Sequence, residues 1–108
     1  MDTSIEERII KFSSDRDWDQ FHSPSNLAKS IVIEAAELLE NFQWDDQRFD
    51  LQNVSEELAD VMIYCCQLAN KLDLNIEKIM NDKLDLNEEK YPIQKARGSS
   101  RKYTEFKE

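Results

Sequence analysis

Glycine is almost missing from this chain, with one residue in 108. A glycine-rich P-loop or dinucleotide fingerprint is thereby excluded, because each needs several glycines close to the phosphates. If phosphate is bound, side chains and metal must hold it. Loops requiring positive φ should be scarce, which favours helices. Histidine occurs once, at His22, so zinc and copper sites lack their usual ligands. A di-iron carboxylate bundle lacks its paired Glu-x-x-His motifs for the same reason. The two cysteines, Cys65 and Cys66, are adjacent in an apolar run. That is neither a metal spacing nor a disulfide framework, and it fits a reducing cytoplasm. No apolar run approaches the ~20 residues of a membrane span. The start, Met1-Asp2-Thr3-Ser4, is acidic and polar and does not read as a secretory signal. A cytoplasmic protein with no membrane partner is expected.

Negative charge dominates: 23 Asp and Glu against 14 Lys and Arg, a net charge of −9. It is uneven, with −12 over residues 1–92 and +3 over residues 93–108. A body this acidic repels polynucleotides rather than tracking them. Hydrophobic residues at 40% and charged residues at 34% describe a soluble, globular chain. The length suits one domain. We place that domain at residues 1–92, followed by a basic tail, 93–108, that is either a flexible terminus or a contact for a partner or anionic ligand.

Periodicity predicts four helices and no strand. The first runs from Thr3 to about Asp17, with Glu6 completing a capping box and Ile5, Ile9 and Phe12 as its buried stripe. A polar-aromatic loop, Trp18 to Pro24, follows. Ser23 and Pro24 form an N-cap and first-turn pair for a second helix that extends to Gln43. Its seam is Leu27, Ile31, Ala35, Leu38 and Phe42. The third helix is expected from Asn53 to Leu72, with Val54, Leu58, Val61, Cys65, Leu68 and Leu72 as its core stripe. The fourth starts at Asn75 and stops before Pro92, which the preceding residue cannot enter as helix. The second and third helices carry more apolar surface than one small bundle can bury. A homo-oligomer is therefore expected, with those helices packed against partner helices.

Two acid pairs stand out: Glu34 with Glu37, and Glu57 with Asp60. A spacing of three puts each pair on one helix face. Apolar residues flank both pairs. Four acids in such surroundings are costly to keep ionised unless something cationic sits among them. Divalent Mg²⁺ or Mn²⁺, which take oxygen ligands, would serve, and would turn repulsion of a polyphosphate into attraction. The plain alternative is that these are solvated helix charges or partners for lysines. Other residues divide in the same way. Trp18 and Trp44 either stack on a base or plug the bundle ends. Lys83, Asn87, Lys90 and Tyr91 either bind phosphate or form an ordinary polar face. His22 is either a substrate contact or a loop hydrogen-bonder, and Tyr64 either orients a carboxylate or belongs to the core.

At these residues the chain resembles the MazG-like nucleotide pyrophosphohydrolases, an all-α family whose pattern is Glu-x-x-Glu, a gap, then Glu-x-x-Asp. Glu34, Glu37, Glu57 and Asp60 match it. The surroundings, Arg16 to His22, Asn26-Leu27, Phe42-Gln43-Trp44, Glu56 to Val61, Asp82-Lys83 and Lys90-Tyr91-Pro92, are similar to the dCTP-pyrophosphatase branch. Ile33 stands where that branch often has glycine. The resemblance implies a four-helix bundle-like fold, assembled as a homodimer or homotetramer. It also implies Mg²⁺-dependent cleavage of a nucleoside triphosphate, with a dCTP-like preference, into monophosphate and pyrophosphate, as in nucleotide-pool house-cleaning. The four acids would hold metal. Glu37, or else Glu34, would be the general base. Trp18 and Trp44 would sit near the base, Asp60 and Tyr64 near the sugar, and Lys83, Asn87, Lys90 and Tyr91 on the phosphates, with His22 a further substrate contact. The same chemistry on dUTP, modified nucleotides or phosphoribosyl-ATP, and a non-catalytic helical interaction module, remain alternatives at this point.

Overall fold

The computed structural model describes residues 3–105, apart from the side chain of Thr3. It is all helical, and no strand occurs among the described residues. The chain divides into two compact units, the first ending at Asn75 and the second starting at Ile76. The first holds α1 (Thr3–Asp15), a 3-10 turn (Asp19–Phe21), α2 (Pro24–Glu40) and α3 (Leu51–Lys71). The second holds α4 (Ile76–Lys90), a short α5 (Ile93–Ala96) and a 3-10 turn (Tyr103–Glu105).

Helix starts follow local side-chain chemistry. Ser23 caps α2, its Oγ accepting the Asn26 N–H at 3.1 Å, with Pro24 at the first helical position. For α3 the expected cap, Asn53, is displaced. Asp50 takes the role, its Oδ1 accepting the N–H groups of Gln52 at 3.0 Å and Asn53 at 3.4 Å. The Asn53 side chain instead donates to Asn41 Oδ1 at 2.7 Å, tying the end of α2 to the start of α3. From that joint the two helices run in opposite directions, which brings Glu34 and Glu37 level with Glu57. The capping box expected from Thr3 and Glu6 involves a side chain outside the described residues.

Positive φ is scarce, as expected: among the described residues Gly98 (75°), Asp17 (54°) and Asp73 (56°) adopt it, and the two aspartates stand at helix ends. Each closes its helix in the same way. After α1, Trp18 N–H reaches Ser13 O (3.0 Å) and Asp17 N–H reaches Ser14 O (3.1 Å). After α3, Leu74 N–H reaches Ala69 O (2.8 Å) and Asp73 N–H reaches Asn70 O (3.1 Å). These paired bonds are the Schellman pattern, with aspartate, tolerant of the left-handed region, in glycine's usual place.

Burial within the chain is slight. Among the described residues the buried apolar side chains of the first unit are Ile9, Leu27, Cys66 and Ala69, with Leu27 at 1% exposure, and that of the second is Ile76. The expected α3 stripe is therefore corrected: Leu58 and Leu72 are exposed, while Cys66 and Ala69, one position round the helix, face inward. Within the first unit α3 turns Cys66 and Ala69 inward and leaves Leu58 and Leu72 uncovered among the described residues. Similarly Ile5 and Phe12 of α1 stay exposed beside buried Ile9. In the second unit the tail is not featureless. Tyr103 sets its ring edge-on to Tyr91, 6.0 Å between centroids, and beneath Lys90 Nζ at 5.0 Å. No helix among the described residues is long and apolar enough to cross a membrane.

Candidate active site

α2 and α3 bring three of the four predicted acids together. Glu34, Glu37 and Glu57 each contribute a carboxylate oxygen, and these oxygens lie within 4.8 Å of one another. Glu34 and Glu57 are half-buried, and Glu37 is exposed. The Oε2 atoms of Glu34 and Glu57 are covered and accept no hydrogen bond. Among the described residues no lysine or arginine pairs with any of the four acids; the ion pairs are Lys11–Asp15, Arg48–Asp45 and Lys78–Asp82. The lysine-partner alternative therefore has no support here. Covered, unpartnered carboxylate oxygens at this spacing fit a hard divalent cation with oxygen ligands.

The cluster is electrostatically strained. Desolvation, a hydrogen bond with Glu37 and the charges of Glu37, Asp60 and Glu57 push Glu34 up to about 7. Glu57 is also raised, first by desolvation and then by Glu37 and Asp60. Like charges in a poorly solvated place resist joint ionisation, so Glu34 holds its proton well above the ordinary carboxylate range.

Asp60 stands one turn beyond Glu57 and links the cluster to a cavity. That cavity, about 490 Å³, lies between α1 and α3. Its aromatic and polar lining includes Phe12, Trp18, His22, Asp60, Tyr64 and Gln67. The volume and mixed lining suit a small-molecule site. Trp18 is held there by the helix end before it. As the residue after the left-handed aspartate, it folds back on Phe12, edge to face at 5.5 Å. Thus α3 carries Glu57, Asp60, Tyr64 and Gln67 on one stripe, with acids at one end and cavity wall along the rest.

Trp44 is not part of this arrangement. It is 89% exposed in the connection between α2 and α3 and does not line the cavity. Lys83, Asn87, Lys90 and Tyr91 belong to the second unit, on or just after α4. Asn87 and Lys90 are half-buried there, and Lys83 is exposed.

The MazG-like family model matches residues 29–106, a span that includes all four acids. The chain belongs to the MazG-like family. Among solved structures, a pyrophosphatase from Archaeoglobus fulgidus DSM 4304 aligns with a TM-score of 0.73 at 37% identity, covering 82% of this chain and 90% of that one. dCTP pyrophosphatase 1 of Homo sapiens is 41% identical over 107 residues, and that of Rattus norvegicus 38% over 104. Each alignment covers 88% of this chain but 61% of the relative, so the chain spans about three-fifths of their length.

Within this MazG-like chain, the structure adds two cavity residues that periodicity did not single out, Arg8 and Gln67, and a partner of the second, Ser13. Arg8 and Gln67 line the cavity, and Ser13 supports Gln67 from α1. A signal was present for Gln67, which continues the three-and-four spacing of Glu57, Asp60 and Tyr64. Ser13 had one too, since it lies four residues after Ile9 and so shares the inward face of α1, whereas Ser14 does not.

Proposed function

We propose that this chain is a nucleotide pyrophosphohydrolase, cleaving a nucleoside triphosphate between its α and β phosphates to give monophosphate and pyrophosphate. The carrying observation is the set of convergent, partly covered carboxylates joined through Asp60 to an aromatic-lined cavity. The names of the relatives support dCTP as the preferred substrate. Glu34, Glu37, Glu57 and Asp60 would hold Mg²⁺, or Mn²⁺ in its place. When bound, that cation neutralises phosphate charge and lowers the pKa of a coordinated water.

The chain's own residues divide the remaining work. Glu37, the exposed member of the cluster, is open to solvent and takes the proton of the attacking water. Trp18 offers a ring face to the base, with His22 beside it on the cavity wall. Tyr64, one turn after Asp60, borders the sugar. Lys83, Asn87, Lys90 and Tyr91 are assigned to phosphate oxygens, where their donors offset developing charge. The reading places the enzyme in the cytoplasm, clearing nucleotides from the pool. Pyrophosphate release from a panel of dNTPs should require divalent metal and be fastest for dCTP. Absence of metal-dependent release from every nucleotide would remove the activity.

The same reading includes a homodimer or homotetramer. Val32 at 69%, Leu39 at 66% and Leu51 at 69% exposure leave α2 and the start of α3 with uncovered apolar surface, and Trp44 adds to it. Such surface on a soluble chain marks an interface. Sedimentation equilibrium at micromolar concentration should give at least twice the 12.8 kDa chain mass. A monomer across that range would exclude assembly.

A further inference from the structure

Two side chains of α3 hold the segment that carries Trp18. Gln67 Nε2 donates to Ser13 Oγ at 2.8 Å, and Lys71 Nζ, one turn further on, donates to Asp19 O at 3.5 Å. A spacing of four sets both on one stripe of α3. Their partners lie on either side of Trp18 in the chain. Ser13 also takes the Trp18 N–H on its own carbonyl, at 3.0 Å. Two hydrogen bonds in series therefore run from Gln67 through Ser13 to Trp18, whose ring meets Phe12 on the cavity wall.

Stability alone does not account for the Gln67–Ser13 pair. Ser13 is 2% exposed, and Gln67 Oε1 is covered and accepts no hydrogen bond. Replacing such a pair by apolar side chains of similar shape is close to neutral or stabilising. What the pair supplies is direction. An apolar contact between α1 and α3 tolerates sliding and rotation, whereas a short hydrogen bond fixes where the end of α1 sits on α3. That end sets the place of Trp18, because the Schellman closure carries the setting across Asp17.

We propose that Gln67, acting through Ser13 and supported by Lys71 on Asp19, is a positioning residue that fixes the Trp18 ring for stacking on the substrate's base. The proposal rests on the reading of this cavity as a nucleotide site. A ring held in place before binding loses less freedom when a base stacks on it, so the gain is in affinity. The base is remote from the bond that breaks. Its contacts are the same in ground and transition states, and loosening them raises KM while kcat is kept.

The test compares wild type with a double variant, Ser13→Ala with Gln67→Leu. Pyrophosphate release from dCTP in Mg²⁺ buffer should show KM raised by about fivefold or more, with kcat within about twofold. The melting temperature should be no lower than that of wild type, so that the loss is not one of folding. In a Trp44→Phe background Trp18 is the sole tryptophan. There, with no nucleotide present, the double variant should lower its fluorescence anisotropy and shift its emission to longer wavelength. In a Trp18→Ala background the same two changes should leave KM within about twofold, because they act only through that ring. Lys71→Met should move KM and anisotropy the same way, by less. The proposal is overturned if the folded double variant keeps the wild-type KM or the wild-type anisotropy, or if its effect on KM persists without Trp18. If the double variant does not fold, Gln67→Met and Lys71→Met decide it on the same readouts. A loosened Trp18 in a protein that hydrolyses no triphosphate would count against the proposed activity and leave the positioning of the ring standing.

Discussion

Glu34→Gln should lower metal-dependent kcat/KM by at least about 100-fold, since even outer partners of a metal ligand are worth ~10–100-fold. In chelator at alkaline pH the same variant should be at least as stable as wild type. The two effects have one cause. Glu34 is held among Glu37, Glu57 and Asp60 with Oε2 covered and unpartnered, and its carboxyl is pushed up to about 7. Glutamine fills nearly the same volume, carries no charge to repel its neighbours, and brings an amide NH₂ that can donate to them. What helps the metal-free fold therefore removes the negative oxygen that the cation requires. A residue kept only for packing would show neither the opposed signs nor the metal dependence. Full turnover in Glu34→Gln, or a lower melting temperature in chelator at pH 8, would sink the assignment.

The sequence shows the acid cluster because helical spacing is arithmetic. Glu34 with Glu37, and Glu57 with Asp60, must share faces on any helix that forms, and the Ser23-Pro24 start is equally local. Other features depend on what tertiary structure does with equivalent residues. Asn53 and Asp50 are both competent caps. The contact to Asn41 draws the Asn53 side chain away, and Asp50 takes the cap. Asp17 and Asp73 replace glycine at helix ends, which a count of glycines does not show. The inward face of α3 is set by which neighbours exist. In one chain Cys66 and Ala69 are buried and Leu58 is not, although the apolar pattern treats them alike. Trp44 is legible as an aromatic in a loop bordering α2, but its exposure shows that its place in a site, if any, is not created by this chain's cavity. Gln67 looks like a break in an apolar stripe until Ser13 is seen opposite it.

Stability of the metal-free protein should fall as pH rises from about 5 to 8, and Mg²⁺ should reverse the trend. The folded-state pKa of Glu34 is raised from 4.5 to about 7, and that of Glu57 is raised too. Between the two Glu34 values the folded chain keeps a proton that the unfolded chain has released. The contribution is thus fully present below about 4.5 and is lost as pH climbs through about 7. Cation and proton compete for the same oxygens, so metal affinity increases over that window. At a Mg²⁺ concentration 100 times its dissociation constant, linkage contributes ~2.7 kcal/mol. For a domain of this size that is a rise in Tm on the order of 10 °C. Differential scanning fluorimetry across pH, with EDTA or Mg²⁺, separates the outcomes. A flat or rising Tm in EDTA would mean that the acids are solvated and unstrained. A Mg²⁺ increment larger at pH 5 than at pH 8 would mean that the cation binds somewhere other than these carboxylates, because only groups that must lose protons to bind metal produce the opposite dependence.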